Sequence, residues 1–505
     1  MMLLPIVYLV VRAAGAGETA WEALLRFRTL QTLWRTVALA ATVTVTSALL
    51  AVPLAWLTTR TDLPLRRLWA VLTPLPLVIP SYVGAYLLVS ALGPRGLLQN
   101  LLEAPFGIER LPDIYGFPGA VLALTLLNYP YFLLGVRAAL VKQDPALEEA
   151  SRALGHNAWQ TFRRVTLPHL LPALGSGSLL VALYALRDFG AVSIMRYDTF
   201  TRIIYSQYRS FDRSQAALLA LVLVALTLVM VSLEARIHGR ARYAAAGPGA
   251  ARPPRRLPLG LWRWPAFAFC AVVVLFGLVL PAGVLGFWLV RGLGAGQNLP
   301  ALGQAAYNSV LAAGLGALAT VVCGLPVAIL AVRQPGRLTR LMERLAYTVF
   351  ALPGIVVALA LVFFGANFAG PLYQTLPLLV VAYVLLFLPQ ATGPIRAALL
   401  QLHPSLEETA RSLGRRPWQV LTSVTLPLMR PGLTAGTSLV FLTVMKELPA
   451  TLILAPLGFK TLATSVWSAV SEAFFAQAAA PALLIILMSS LPMAYIILHE
   501  RRADA

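Results

Sequence analysis

The chain has 505 residues, of which 59% are hydrophobic and 12% charged, and its formal charge is +20. The charged share is about half that of an ordinary soluble domain, so water is not its main solvent. The basic residues lie mostly between apolar runs, which speaks for membrane flanks and against a nucleic-acid face.

About a dozen apolar runs approach the roughly 20 residues that an α-helix needs to cross hydrocarbon. The predicted fold class is all-α, a polytopic membrane protein of about 12 transmembrane helices. In chain order the first half has predicted spans at 1–11, 36–58, 68–92, 118–141, 172–192 and 214–234. The second has them at 264–290, 308–332, 343–365, 373–399, 431–454 and 478–498. Met1 to Val11 lacks a basic leader and a cleavage site, so it reads as a membrane helix and not as a signal. Leu4-Pro5 with Arg12 matches Leu280-Pro281 with Arg291, yet only four residues precede Pro5. The expectation is a start that truncates the first helix, with a short tilted helix as the alternative.

One strong internal repeat organises the chain. PALEEASRALGHNAWQTFRRVTLP (Pro145 to Pro168) aligns without a gap to PSLEETARSLGRRPWQVLTSVTLP (Pro404 to Pro427). The same spacing pairs Pro130 with Pro389, Arg137 with Arg396, Arg187 with Lys446 and Asp188 with Glu447. Upstream the spacing lengthens, pairing Pro53 with Pro326 and Arg60 with Arg333, because the first half has a longer connection. The predicted domains are a first unit at 1–235 with its loop at 142–171, a basic linker at 236–263, and a second unit at 264–505 with its loop at 401–430. Six spans per half make the repeats parallel. Placing the repeated loops in the cytoplasm gives roughly 24 Lys and Arg to inner connections against roughly 14 outside, with both termini inside.

Each repeated loop reads as a helix opened by Pro145 or Pro404, with Glu148-Glu149 or Glu407-Glu408 in its first turn where the helix dipole favours acids. Gly155 and Gly414 stop that helix as left-handed caps. A second short helix follows, with Trp159-Gln160 and Trp418-Gln419 at its start, and Leu167-Pro168 and Leu426-Pro427 are expected to end it. The plain reading is a capped turn and no more, but capping does not account for Trp-Gln and Val-Thr-Leu-Pro in both copies.

The spacing E-A-A, three residues, G, nine residues, I, one residue, L-P is met by Glu149-Ala150-Ser151, Gly155, Val165 and Leu167-Pro168. It is met again by Glu408-Thr409-Ala410, Gly414, Val424 and Leu426-Pro427, each copy departing by one triplet residue and by Val for Ile. The chain thus resembles the binding-protein-dependent ABC importer permeases over nearly its whole length. The resemblance implies a type I importer permease fold of two parallel six-helix repeats in the cell inner membrane. It also implies that Gly155 through Val165 and Gly414 through Val424 are coupling helices seated on a separate ATPase. The coupling residues are Glu149, Ala150, Gly155, Trp159, Gln160, Leu167 and Pro168, and Glu408, Ala410, Gly414, Trp418, Gln419, Leu426 and Pro427.

No G-x4-G-K-[ST] phosphate cradle occurs in the sequence, so ATP hydrolysis is assigned to another chain, in two copies. Gly458-Phe459-Lys460-Thr461 only superficially resembles its end. His156, His169, His238, His403 and His499 are scattered, Cys270 and Cys323 lie in apolar runs, and no catalytic, metal or cofactor site is expected. Arg187-Asp188 and Lys446-Glu447 fall within apolar spans, where ionisable groups are costly. They either line or gate the path, or pair locally where the helix leaves the bilayer.

The expected partners are the ATPase, a periplasmic substrate-binding protein and membrane lipid. Fused twelve-span permeases resemble those for ferric iron, thiamine and phosphonates. Arg187 to Tyr208 and Lys446 to Trp467 look most like the ferric-iron group. The rival class is an ion-gradient-driven transporter, whose repeats are often inverted around a midplane site.

Overall fold

The computed structural model describes residues 4–15, 22, 26–143, 145–210, 213–238, 257–294, 299–334 and 336–503, and every regular element among them is helical. The first half runs α1 (Leu4–Ala14), α2 (Phe27–Arg60), α3 (Arg66–Leu72), α4 (Ser81–Leu92), α5 (Leu97–Phe106), α6 (Phe117–Lys142), α7 (Pro145–Ala153), α8 (Ala158–Thr161), α9 (Leu167–Arg187), α10 (Gly190–Ile194), α11 (Phe200–Arg209) and α12 (Arg213–His238). The second runs α13 (Arg263–Val274), α14 (Leu280–Gly294), α15 (Leu299–Arg333), α16 (Arg337–Ala351), α17 (Gly354–Phe368), α18 (Leu376–Gln401), α19 (Pro404–Ser412), α20 (Pro417–Val420), α21 (Leu426–Leu428), α22 (Arg430–Met445), α23 (Pro449–Leu454), α24 (Leu462–Ser471) and α25 (Phe475–Ala503).

Seven helical stretches are long and apolar enough to cross a membrane singly, two more are pairs bent at a short break, and three are shorter apolar helices. These twelve segments fall one for one on the predicted spans. The bent pairs, Arg66–Val78 with Ser81–Phe106 and Pro417–Leu428 with Arg430–Met445, turn by 101° and 72°. Much of the predicted linker, 239–256, lies outside the described residues.

The chain packs as two compact units, one of Met1–Trp21, Gln207–Leu221 and Trp288–Ala505, the other of Glu22–Ser206 and Val222–Phe287. Within the second, α2, α6 and α9 pack on one another; within the first, their repeat counterparts α15, α18 and α22 do the same. Helices in lipid gain little from burying apolar surface, so close approach of small residues matters more. A methyl on Gly177 would stand 2.6 Å from the Phe132 ring, and one on its counterpart Gly436 would stand 3.1 Å from the Ala391 carbonyl. Side-chain hydroxyls add links between helices, as in Thr46 Oγ1 to Thr125 Oγ1 at 2.7 Å and Tyr383 OH to Thr451 Oγ1 at 2.8 Å.

The compact units differ from the sequence repeats by an exchange of the leading helix. In one unit α1 packs on α17, with the Tyr8 and Phe363 rings 4.7 Å apart. In the other, Phe267 of α13 meets Trp69 of α3 edge-on at 5.2 Å, and Gly277 lies against Pro76. An apolar run looks the same whether it faces lipid or another helix, so composition gives the spans without giving their neighbours.

Candidate functional site: the repeated loops

The two loops are built alike, down to the hydrogen bonds of their turns. After α7, Gly155 adopts φ +84°, its N–H donates to Arg152 O at 2.9 Å, and His156 N–H donates to Ser151 O at 3.3 Å. After α19, Gly414 also adopts φ +84°, with Gly414 N–H to Arg411 O at 2.9 Å and Arg415 N–H to Ala410 O at 3.2 Å. This pair of bonds closes a helix through a left-handed residue, the role glycine fills without a Cβ penalty.

Gln160 and Gln419 start the short helices by capping them. Gln160 Oε1 accepts from Asn157 N–H at 3.0 Å, while Asn157 Oδ1 accepts from Gln160 N–H at 2.8 Å, a reciprocal box. Gln419 Oε1 accepts from Arg416 N–H at 2.9 Å, and Pro417 takes the first helical position.

The predicted exit at Leu167-Pro168 and Leu426-Pro427 is not an end. The backbone continues through a widened π turn, Phe162–Thr166 or Leu421–Thr425, straight into α9 or α21. Proline in an ordinary helix clashes with the carbonyl four residues back. The π turn moves that carbonyl aside, so Trp159–Arg187 is one continuous stretch. In the second copy the helix breaks later, at Met429, ahead of Pro431.

A carboxylate that sequence reasoning left as a dipole partner ties each loop down. Glu148 Oε1 accepts from Thr166 Oγ1 at 3.1 Å and lies 3.9 Å from Arg60 Nη2. The counterpart Glu407 Oε1 accepts from Thr425 Oγ1 at 3.0 Å and lies 3.2 Å from Arg333 Nη2. The arginines, at the last residue of α2 and α15, also cap the preceding membrane helix: Arg60 Nη2 donates to Leu140 O at 2.9 Å, and Arg333 Nη2 to Leu402 O at 3.3 Å. Each loop is thus stapled to two spans by one guanidinium. The pairing of Arg60 with Arg333 and of Glu148 with Glu407 in the repeat was the available signal.

The small buried position at the crossing of the two loop helices is Ser151 and Ala410, whereas Ala150 is exposed. In the first copy Ser151 Oγ meets Thr161 Oγ1 at 3.2 Å; in the second Ala410 meets buried Val420. A hydroxyl pair in one loop is replaced by a methyl pair in the other.

With those residues turned inward, the outer face is left to Glu149 and Glu408, both exposed, and to four large apolar side chains. Leu154 and Trp159 are 79% and 68% exposed, and Leu413 and Trp418 are 78% and 70% exposed. Leu167, Pro168, Leu426 and Pro427 are half-buried at the base.

The charged pairs of the fifth spans sit where a long helix stops. Asp188 Oδ1 accepts from Ala191 N–H at 2.9 Å and Val192 N–H at 3.2 Å, capping α10. Glu447 Oε1 accepts from Ala450 N–H at 2.8 Å at the start of α23. Arg187 and Lys446 end the preceding helices and are half-buried. Arg137, read as an anchor or a loop contact, donates instead to Ala70 O of α3 at 2.7 Å.

The sequence profile described as the binding-protein-dependent transport system inner membrane component matches residues 49–243 and again 320–504. The chain belongs to this family. Both matched stretches contain one loop, one staple and one fifth-span pair, so the duplicated architecture is the family's own domain present twice. The chain is a multi-pass permease subunit of the inner membrane, all-helical, with two family repeats and about 12 spans. It is 36% identical to the Fe(3+)-transport system permease protein FbpB 2 of Haemophilus influenzae, over 97% of this chain and 94% of that one. It is 25% identical to the ferric transport system permease protein FbpB of Actinobacillus pleuropneumoniae, over 83% of this chain and 64% of that one. A shorter relative, the molybdenum transport system permease protein ModB of Escherichia coli, is 31% identical over 40% of this chain and 90% of its own length.

Proposed function

We propose that this permease moves ferric iron, delivered by a periplasmic binding protein, and that its two loops dock on two copies of a separate ATPase. The cargo assignment rests on the similarity over 97% of the chain to a permease named for Fe(3+) transport. The docking assignment rests on one observation: each loop turns its polar groups inward and leaves a leucine and a tryptophan about 70–80% exposed at matching positions. Exposed aromatic and aliphatic anchors on a rigid base suit a protein interface.

In this reading the loops, both termini and the linker 236–263 lie in the cytoplasm. The two permease units are 1–235 and 264–505, with docking loops at 142–171 and 401–430. ATP-driven closure of the ATPases brings the loops together. Each staple carries that motion into the ends of α2 and α6, or of α15 and α18. The halves then rock to open a path outward, and hydrolysis resets them. Arg187, Asp188, Lys446 and Glu447, at the breaks of the fifth spans, line that path.

Reconstituted vesicles holding permease, ATPase and binding protein test this directly. Ferric uptake that needs ATP and survives an uncoupler supports it. Uptake that persists without ATP and collapses with the uncoupler assigns the chain to ion-gradient transport. Uptake of thiamine, a phosphonate or molybdate in place of iron overturns the cargo and leaves the docking assignment standing.

A further inference from the structure

We propose that α1, α12 and α17 form a binding site for a phosphate oxyanion, with Arg12 as its principal ligand. Tyr8 and Arg12 are one turn apart on the same face of α1. Tyr8 is buried against Phe363 of α17, which carries the Arg12 stem along that helix to its end. There an open cavity of about 110 Å³ is lined by Arg12, Tyr8, Tyr208 and Asn367, with Val362 and Phe363 among its apolar walls. One water needs only about 10–15 Å³ on this measure, so the space holds a group of several heavy atoms.

The polar lining is all of one kind. Arginine, tyrosine hydroxyls and an amide N–H offer donors, and no acidic side chain lines the cavity. Asn367 Nδ2 gives one hydrogen to Phe363 O at 2.8 Å and has a second to give. Among the described residues, Arg12 Nε is buried without an acceptor. Arg291, which follows Leu280-Pro281 as Arg12 follows Leu4-Pro5, has its guanidinium 5.8 Å from the Trp288 ring centroid. Arg12 is thus the guanidinium of the pair that faces a cavity, and planar forks of this kind favour two-point contact with a phosphate.

The phosphate can belong to a phospholipid headgroup, whose chains would lie over the apolar wall, or to free inorganic phosphate. The purified transporter in mild detergent, titrated with phosphatidylglycerol and followed by native mass spectrometry, distinguishes them. Retained lipid that 10-fold excess inorganic phosphate does not displace identifies the headgroup; full displacement identifies free phosphate. Arg12→Gln is expected to lower retention roughly tenfold, and Arg291→Gln to leave it unchanged. Asn367→Asp gives Arg12 an internal partner and repels an anion, so it is expected to abolish binding while keeping the melting temperature. Equal retention of both probes by the wild type, Arg12→Gln and Asn367→Asp overturns the site.

Discussion

Arg333 Nη2 stands 3.2 Å from Glu407 Oε1, joining the end of α15 to the first turn of α19. The pair is largely shielded, with side chains 18% and 12% exposed, and its counterpart Arg60 and Glu148 are 4% and 16% exposed. Removing one partner leaves the other desolvated and uncompensated. Arg333→Ala is expected to destabilise the loop by about 2–4 kcal/mol, somewhat less than for a fully buried pair. Glu407→Gln keeps the bond from Thr425 and is expected to do less. Hydrogen exchange over 401–430 reads both: protection falls there in Arg333→Ala, while the far ends of the membrane helices are unchanged.

Gly155 and Gly414 share φ +84° with no neighbouring atom within 4 Å of an added Cβ. Alanine there meets no clash, so its cost is conformational alone, about 1–2 kcal/mol at each site. The double variant is expected to fold, to melt a few degrees lower, and to lose coupling between ATP hydrolysis and transport. Transport per ATP hydrolysed, measured in vesicles, checks this; an unchanged ratio means that the turn is not needed for transmission.

Ser151 with Thr161, and Ala410 with Val420, solve one packing problem in two ways. Replacing both hydroxyl residues, Ser151→Ala with Thr161→Val, is expected to be nearly neutral, because partners removed together leave no orphan. Ala410→Ser alone places a hydroxyl against Val420 and is expected to cost about 1–2 kcal/mol. A double-mutant cycle on melting temperature gives the coupling between Ser151 and Thr161.

Asp62 joins the end of α2 to the start of the second half: its Oδ1 accepts from Leu259 N–H at 2.9 Å, and Arg263 Nη2 lies 3.4 Å from Oδ2. The Leu259 N–H, and then the Arg263 guanidinium, hold this carboxyl below the usual aspartate range. A depressed folded-state value means that the tie is complete above the ordinary aspartate range and weakens as pH falls through the lowered one. The strap between Thr61 and Leu257 should therefore lose exchange protection only in strong acid, and Asp62→Asn should remove that pH dependence.

The spans, the repeat and the glycine turns were legible because each leaves a local mark: an apolar run, a gapless alignment, a glycine at a helix end. The staples were not, since Arg60 and Glu148 are far apart in the chain and the repeat spacing changes between them. Nor was the course past Pro168. Leu-Pro ordinarily ends a helix, and only the widened turn at Phe162–Thr166 lets it pass. Gln160 and Gln419, read from their repetition as docking residues, are engaged in caps, so repetition alone could not separate structure from contact. The exchange of α1 and α13 between units was hidden for a general reason, that lipid and protein are equally apolar neighbours.

The exposed leucines and tryptophans set the scale of the interface. Trp159→Ala with Trp418→Ala removes two anchors from surfaces that the fold does not use, so the permease should keep its melting temperature. Its affinity for the ATPase should fall by at least about tenfold, as for interface anchors generally. Titration of labelled ATPase onto the permease measures this.

The most direct measurement concerns Glu149 and Glu408, exposed on the same outer faces. The transporter complex is purified with both glutamates reversed to lysine and passed over a sizing column with the wild type alongside. The permease is expected to elute as a folded, monodisperse protein stripped of its ATPase. A complex that stays intact with full ATP-dependent transport would contradict the assignment of the two repeated loops as its docking elements.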